Sequence, residues 1–156
     1  MTLELLRKTL TATNAENHTH LYIPFTVPEG MKEIRVFMEY APKFFDDREK
    51  SLEIIREVLA RDAWYTSFTE EETEAFLPLC NHISVSLDSP AGWLGTAHRH
   101  APKQTYFVNE RDAAYGFRPA PAESGEWRLT LSFNCVVTGS VTVDIRVEAD
   151  DEISQM

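Results

Sequence analysis

The chain has 156 residues, 43% of them hydrophobic, so it is long enough to bury the core of one domain and too apolar to be intrinsically disordered. Twenty-five Asp and Glu residues against 15 Lys and Arg residues give a formal charge of -10, which opposes binding to nucleic-acid phosphates and to anionic membrane surfaces. The N-terminus MTLELLRKTL carries charges among its leucines, unlike a signal peptide, and no apolar run approaches the ~20 residues of a membrane span. We therefore expect a cytoplasmic protein that binds neither nucleic acid nor membrane.

The N-terminal third shows the two-residue period of β-strands. Residues 3–13, LELLRKTLTAT, fit either a strand or a short helix, and we favour the strand. Apolar and polar residues alternate over 21–27 and again over 34–40, with a Pro-Glu-Gly turn between the two runs. These two strands form either a hairpin or a crossing between two sheets.

The period changes to that of an α-helix in the middle of the chain. Over residues 46–62 apolar side chains recur at three- and four-residue spacings behind an acidic start, which predicts an amphipathic helix. Thr69 and Glu72 have the spacing of a capping box, so a short second helix is predicted to begin there and to end before Pro78. Together these segments form a helical insert over residues 46–77, which packs on its own domain or against a second copy.

Strand signals return after the insert. Alternating patterns cover residues 83–87, closed by the turn DSPAG, and residues 127–133 and 141–147, with a short strand in KQTYFV between them. Seven or eight short strands with turns between them predict an all-β fold, an antiparallel β-sandwich of jelly-roll-like arrangement. We expect a single sandwich domain over residues 1–148, followed by an acidic tail over 149–156.

Several motifs resemble one known family. The stretch NHISVSLDSPAGWLGTAHRH and the later YGFRPAPAESGEWRLTLSF and VTVDIRVE look like the β-sandwich domain that precedes the catalytic domain in PHP-type metallohydrolases of the carbaryl-hydrolase-like group. The front part IPFTVPEGMKEIRVFMEYAP is similar to the opening strands of that domain. The shared positions are turn and loop residues: Asp88, Pro90 and Gly92; Gly95, His98 and Arg99; Tyr115, Gly116 and Phe117; Gly125, Glu126 and Trp127.

The resemblance implies an accessory domain without its enzyme. The catalytic domain of that family supplies closely spaced His and Asp ligands, and the residues after Val147 leave no room for it. A stand-alone sandwich of this kind implies a protein partner, such as a separately encoded metallohydrolase. Fold resemblance by itself supplies no reaction.

Two His-x-His pairs are the candidate metal ligands. His18 and His20, and likewise His98 and His100, would face the same side of an extended strand, where two imidazoles can bind one divalent metal. If the two pairs lay on neighbouring strands, four imidazole nitrogens could converge on one metal ion. The alternative is that both pairs are polar residues at a loop and a sheet edge, in which case no cofactor is needed.

Other reactive residues have simpler explanations. Cys80 and Cys135 lack metal or redox spacing and follow apolar patterns, so we expect buried thiols rather than a disulfide or a nucleophile assisted by His82. The glutamates at 70, 71, 72 and 74 could hold a cation, but at a helix start they more simply complement the helix dipole. We therefore expect no catalytic residue among them.

The candidate ligand-binding residues are Trp93, Arg99, Tyr115 and Arg118. All four are predicted to lie in loops between strands, where aromatic and basic side chains at one end of a sandwich can bind a small or carbohydrate-like ligand. The alternative is that the Trp93 and Tyr115 rings cover the end of the hydrophobic core.

The sequence favours a non-catalytic binding or accessory module, acting through protein association or through loop-end ligand contacts. One alternative is a small metal-dependent hydrolase that uses His98 and His100. A second alternative is a purely structural homo-oligomer, such as a dimer.

Overall fold

The computed structural model describes residues 1–62 and 68–154 and contains eight strands in two sheets that pack face to face. The strands are β1 (Thr2–Thr13), β2 (Thr19–Val27), β3 (Glu33–Ala41), β4 (His82–Ser89), β5 (Gly92–Ala97), β6 (Lys103–Asn109), β7 (Gly125–Cys135) and β8 (Ser140–Asp150). The first sheet has the order β1-β8-β3-β6 and the second the order β2-β7-β4-β5, with every pairing antiparallel. This is the jelly-roll arrangement of a β-sandwich, as the sequence predicts.

The core lies between the two sheets and follows the alternation seen in the sequence. On β7, Trp127, Leu129 and Leu131 are fully buried, and the Trp127 indole lies 6.1 Å from the Phe25 ring. The Trp127 Nε1–H donates to the Glu123 carbonyl at 2.8 Å, so its one polar atom is satisfied. Because inward residues alternate with outward ones on every strand, each core position fixes which neighbours face solvent.

The strands differ from the prediction at two places, and the choice left open at the N-terminus is decided. The N-terminal segment is the long edge strand β1, which confirms the strand over the helix. The stretch containing Trp93, expected to be a loop, is instead strand β5, because the 88–92 turn is a hairpin that folds the chain back onto β4. Strand β8 continues to Asp150, two residues into the predicted tail, and Ser154 donates to the buried Glu33 carboxylate at 2.7 Å.

The helical insert forms a unit beside the sandwich core. Helix α1 spans Arg48–Asp62 and helix α2 spans Glu70–Glu74, and the predicted Thr69 capping box is present on α2. Two ion pairs join the helices, from Arg48 to Glu74 at 2.7 Å and from Arg56 to Glu70 at 2.6 Å.

The apolar face of α1 buries Leu52 and Ile55, which lie outside the main core cluster. Residues 63–67 of the predicted insert lie outside the described part of the chain. Within residues 1–62 and 68–154, no helix is both long and apolar enough to cross a membrane.

Candidate ligand-binding groove

The outer face of the second sheet carries a shallow groove of about 510 Å³. Its position follows from the strand register, because the residues between the core positions of β2, β7, β4 and β5 all point to this side. One row across the sheet runs from Tyr22 through Thr130 and Ser86 to Thr96. The groove therefore crosses all four strands.

Small polar side chains make the floor of the groove. They are Ser86, Thr96, Thr130 and Ser132. Thr130 and Ser132 are buried at 6% and 8% exposure although they point away from the core, because larger side chains rise on both sides of them. The Ser86 and Thr96 hydroxyls bond each other at 2.8 Å across neighbouring strands. The floor thus offers a line of hydroxyl groups on a rigid sheet.

A rib of larger side chains forms one side of the groove. The Arg128 guanidinium lies over the Tyr22 ring, 4.6 Å from its centroid, and donates two hydrogen bonds to Asp88 Oδ2 at 3.1 and 3.2 Å. Asp88 is the cross-strand neighbour of Trp93. The rib therefore runs from the Tyr22 ring on edge strand β2 to the Trp93 ring on edge strand β5, and each ring is more than half exposed.

Polar and imidazole side chains line the opposite side. His20 Nδ1 and Ser132 Oγ form a hydrogen bond of 2.8 Å, and the Asn134 amide donates to Ser84 Oγ at 2.7 Å. His98 lines the groove beyond the end of β5. The polar side chains on this side are amide, hydroxyl and imidazole groups.

The groove has almost no net formal charge, although the chain carries -10. Arg128 and Asp88 are its permanently charged lining groups, and they neutralise each other. A phosphate or sulfate group would find no unpaired cation among the lining residues. The arrangement suits a neutral ligand rich in hydroxyl groups, which exchanges hydrogen bonds with the floor and stacks on the rings.

Of the four predicted ligand residues, Trp93 lines the groove. Arg99, Tyr115 and Arg118 lie instead along the free edge of β5, where Arg99 donates to the Tyr115 carbonyl at 3.3 Å and the Arg118 amide donates to the Leu94 carbonyl at 2.9 Å. The Arg99 guanidinium also covers the buried Tyr106 ring at 4.7 Å. Tyr115 is 91% exposed, so it does not close the end of the core.

The two His-x-His pairs do not converge. His18 and His20 lie at the start of β2, and His98 and His100 follow β5, the strand at the opposite edge of the sheet. Three strand spacings separate those edges, about 14 Å. In the described part of the chain, no group of three or more His, Cys, Asp or Glu side chains has a geometry that could hold a metal ion.

His98 and His100 instead lie beside a third histidine, His82, which is the first residue of β4. The His82 ring stacks on His100 at 4.4 Å between centroids and lies 6.4 Å from His98. Burial lowers the pKa of His82, and His100, Lys43 and His98 lower it further. Its Nε2 atom is buried without a hydrogen-bond partner in the described structure. This histidine cluster (His82, His98 and His100) adjoins the groove, because His98 belongs to both.

The two cysteines are free thiols, and the glutamates at 70 and 72 stabilise helix α2. Cys80 and Cys135 are half-buried free thiols, less enclosed than we expected, and burial, together with Cys80, raises the pKa of Cys135. A raised pKa keeps a thiol protonated and a poor nucleophile. Glu70 and Glu72 serve α2 through an ion pair and the capping box.

Sequence reasoning missed most of the groove. The outward positions of the alternating strands hold Tyr22, Arg128 and Thr130. Side chains at such positions normally only contact solvent. The signal that could have marked them is the clustering of Ser and Thr at outward positions of several strands, with no charge among them. A comparison of the chain with protein-family models and with curated proteins finds no match.

Proposed function

We propose that this protein is a non-catalytic binding module for a neutral, polyhydroxylated ligand of the carbohydrate class. The observation that carries the proposal is the groove itself, a line of hydroxyl side chains between two exposed aromatic rings. A sugar presents hydroxyl groups at its rim and C–H groups on its ring faces. The hydroxyls match the floor of the groove, and the faces match the Tyr22 and Trp93 rings.

A role as an accessory module fits the same proposal. The resemblance to the sandwich domain of PHP-type metallohydrolases supports a ligand-holding domain that serves a separately encoded hydrolase. In that arrangement the sandwich binds the ligand and the partner performs the reaction. Co-purification with a metallohydrolase is the expected result, and a chain that associates with no other protein would argue against this part of the proposal.

The test of ligand binding is isothermal titration calorimetry with a panel of neutral cello-, malto- and xylo-oligosaccharides. We expect at least one series to bind the wild-type chain. Trp93→Ala should weaken that binding roughly tenfold, about 1.4 kcal/mol, because one of the two stacking rings is lost from the site. Its thermal unfolding should stay unchanged, since the ring is 58% exposed.

Tyr115→Ala is the matched control. Tyr115 is also an exposed aromatic near β5, but it lies outside the groove lining. Its removal should leave the affinity unchanged. Absence of binding to every oligosaccharide in the panel, or equal weakening by Tyr115→Ala, would contradict the proposal.

A further inference from the structure

We infer that the groove binds a linear chain of about three sugar rings lying across the strands, not a single sugar; this inference rests on the proposed function. The first observation is the separation of the two strands that carry the rings. Tyr22 lies on β2 and Trp93 on β5, with β7 and β4 between them. Three strand spacings amount to about 14 Å, a span of about three pyranose rings.

The second observation concerns the aromatic rings themselves. Tyr22 is 56% exposed and Trp93 is 58% exposed, although both are large apolar side chains on a sheet surface. The strands between them present the small hydroxyl residues of the floor and the Arg128–Asp88 pair. A monosaccharide would stack on one ring and leave the other in water. A chain that crosses the groove covers both rings at once.

The third observation is the polar pair in the middle of the rib. Both hydrogen bonds from Arg128 go to Asp88 Oδ2, through Nε and Nη2. Among the described residues, Arg128 Nη1 and Asp88 Oδ1 have no hydrogen-bond partner. A free donor beside a free acceptor matches two neighbouring hydroxyl groups of one sugar, since one hydroxyl can accept and the next can donate. This pair would bind the middle residue of the chain.

The pair also excludes charged chains. The Arg128 charge is already neutralised by Asp88, so a carboxylate or sulfate on the ligand would lose its hydration without gaining an unpaired cation. The chain as a whole carries -10, which repels polyanions at a distance. The ligand class is therefore a neutral linear oligosaccharide.

Titration of the bound series from monosaccharide to hexasaccharide tests the inference. We expect the affinity to rise at least tenfold from one to about three residues, the length set by the 14 Å span, and to change little beyond that. Tyr22→Ala and Trp93→Ala should each reduce the trisaccharide affinity to near the monosaccharide value. Tyr115→Ala should leave the length dependence intact.

The outcomes separate the two proposals. A monosaccharide that binds as tightly as the trisaccharide would overturn the inference about length and leave the carbohydrate proposal standing. A trisaccharide affinity that depends on only one of the two rings would also overturn it. If no member of any series binds, the proposed function fails and the inference fails with it. Thermal unfolding of each variant confirms that a lost affinity reflects the site and not the fold.

Discussion

The two outer faces of the sandwich have the same strand geometry but opposite surface chemistry. On the first sheet, charged side chains pair with one another: Arg35 contacts Glu33 at 2.9 Å and Asp150 at 3.1 Å. One aromatic ring on this face, Phe37, is covered by the Arg146 guanidinium at 4.1 Å. On the second sheet, none of the cation–ring contacts between described residues falls on Trp93.

This difference supports the second face as the location of the binding site that we propose. The core requires only that apolar residues alternate on the inner side, so the outer positions are free to vary. The first face uses this freedom to pair charged side chains, such as Arg35 with Glu33 and Asp150. The second face leaves the Tyr22 and Trp93 rings more than half exposed beside a line of hydroxyl groups. Substitutions on the first face should therefore change stability, and those on the second should change binding.

Removal of the buried carboxylate on the first sheet should have the largest effect. Glu33 is 1% exposed and accepts hydrogen bonds from Arg35 and from Asn109, the latter at 3.0 Å. Glu33→Ala removes the carboxylate acceptor of the Asn109 amide and one of the two carboxylates that pair with Arg35, so we expect a loss of about 3 kcal/mol in the free energy of unfolding, measured by urea denaturation. The oligosaccharide affinity should not change.

Glu39→Ala is the control for that variant. Glu39 lies on the same face of β3 but is exposed. Its removal should alter stability by less than about 0.5 kcal/mol. Equal effects of the two substitutions would show that the ion-pair network adds nothing.

A glycine at the edge of the second sheet should have the next largest effect. Gly95 has a φ of +144°, and an added Cβ would lie 2.0 Å from the Gly116 carbonyl oxygen. Gly95→Ala is expected to cost about 2 kcal/mol, because backbone strain and displacement of the neighbouring loop both oppose folding. Gly30→Ala, at φ +89° with open space around it, isolates the strain and should cost less.

The histidine cluster should make stability depend on pH. The pKa of His82 lies below its ordinary 6.5 in the folded chain, chiefly through burial, so below pH 6.5 the unfolded chain binds a proton that the folded chain does not. Stability should therefore be complete above pH 6.5 and fall as the pH drops toward the folded pKa. His82→Gln should reduce this slope in urea titrations between pH 5 and 7.5.

His18→Asn is the control for the pH experiment. His18 is exposed and has a φ of +62°, a conformation that Asn tolerates. This variant should keep the pH dependence of the wild type. A slope that persists in His82→Gln would place the responsible group elsewhere.

The sequence predicts the sandwich well because its strands alternate in a period of two. Strand β5 is the exception, since the two glycines of GWLGTA weaken the strand signal.

The groove is beyond sequence reasoning for a physical reason. Tyr22 and Trp93 are 71 positions apart, and only the β2-β7-β4-β5 strand order brings them to one face. That order depends on packing between the sheets, which no local pattern records.

The smallest expected effects come from two exposed ion pairs, one on each face. Arg7 bonds Glu4 at 2.7 Å on the first sheet, and Arg128 bonds Asp88 on the second, with both arginines at least half exposed. Arg7→Gln and Arg128→Gln should each change the free energy of unfolding by less than about 1 kcal/mol. Only Arg128→Gln should weaken oligosaccharide binding, because it removes the guanidinium donor that faces the ligand and leaves the Asp88 charge unpaired inside the groove. An equal loss of affinity in Arg7→Gln would mean that long-range charge, and not the groove, governs binding.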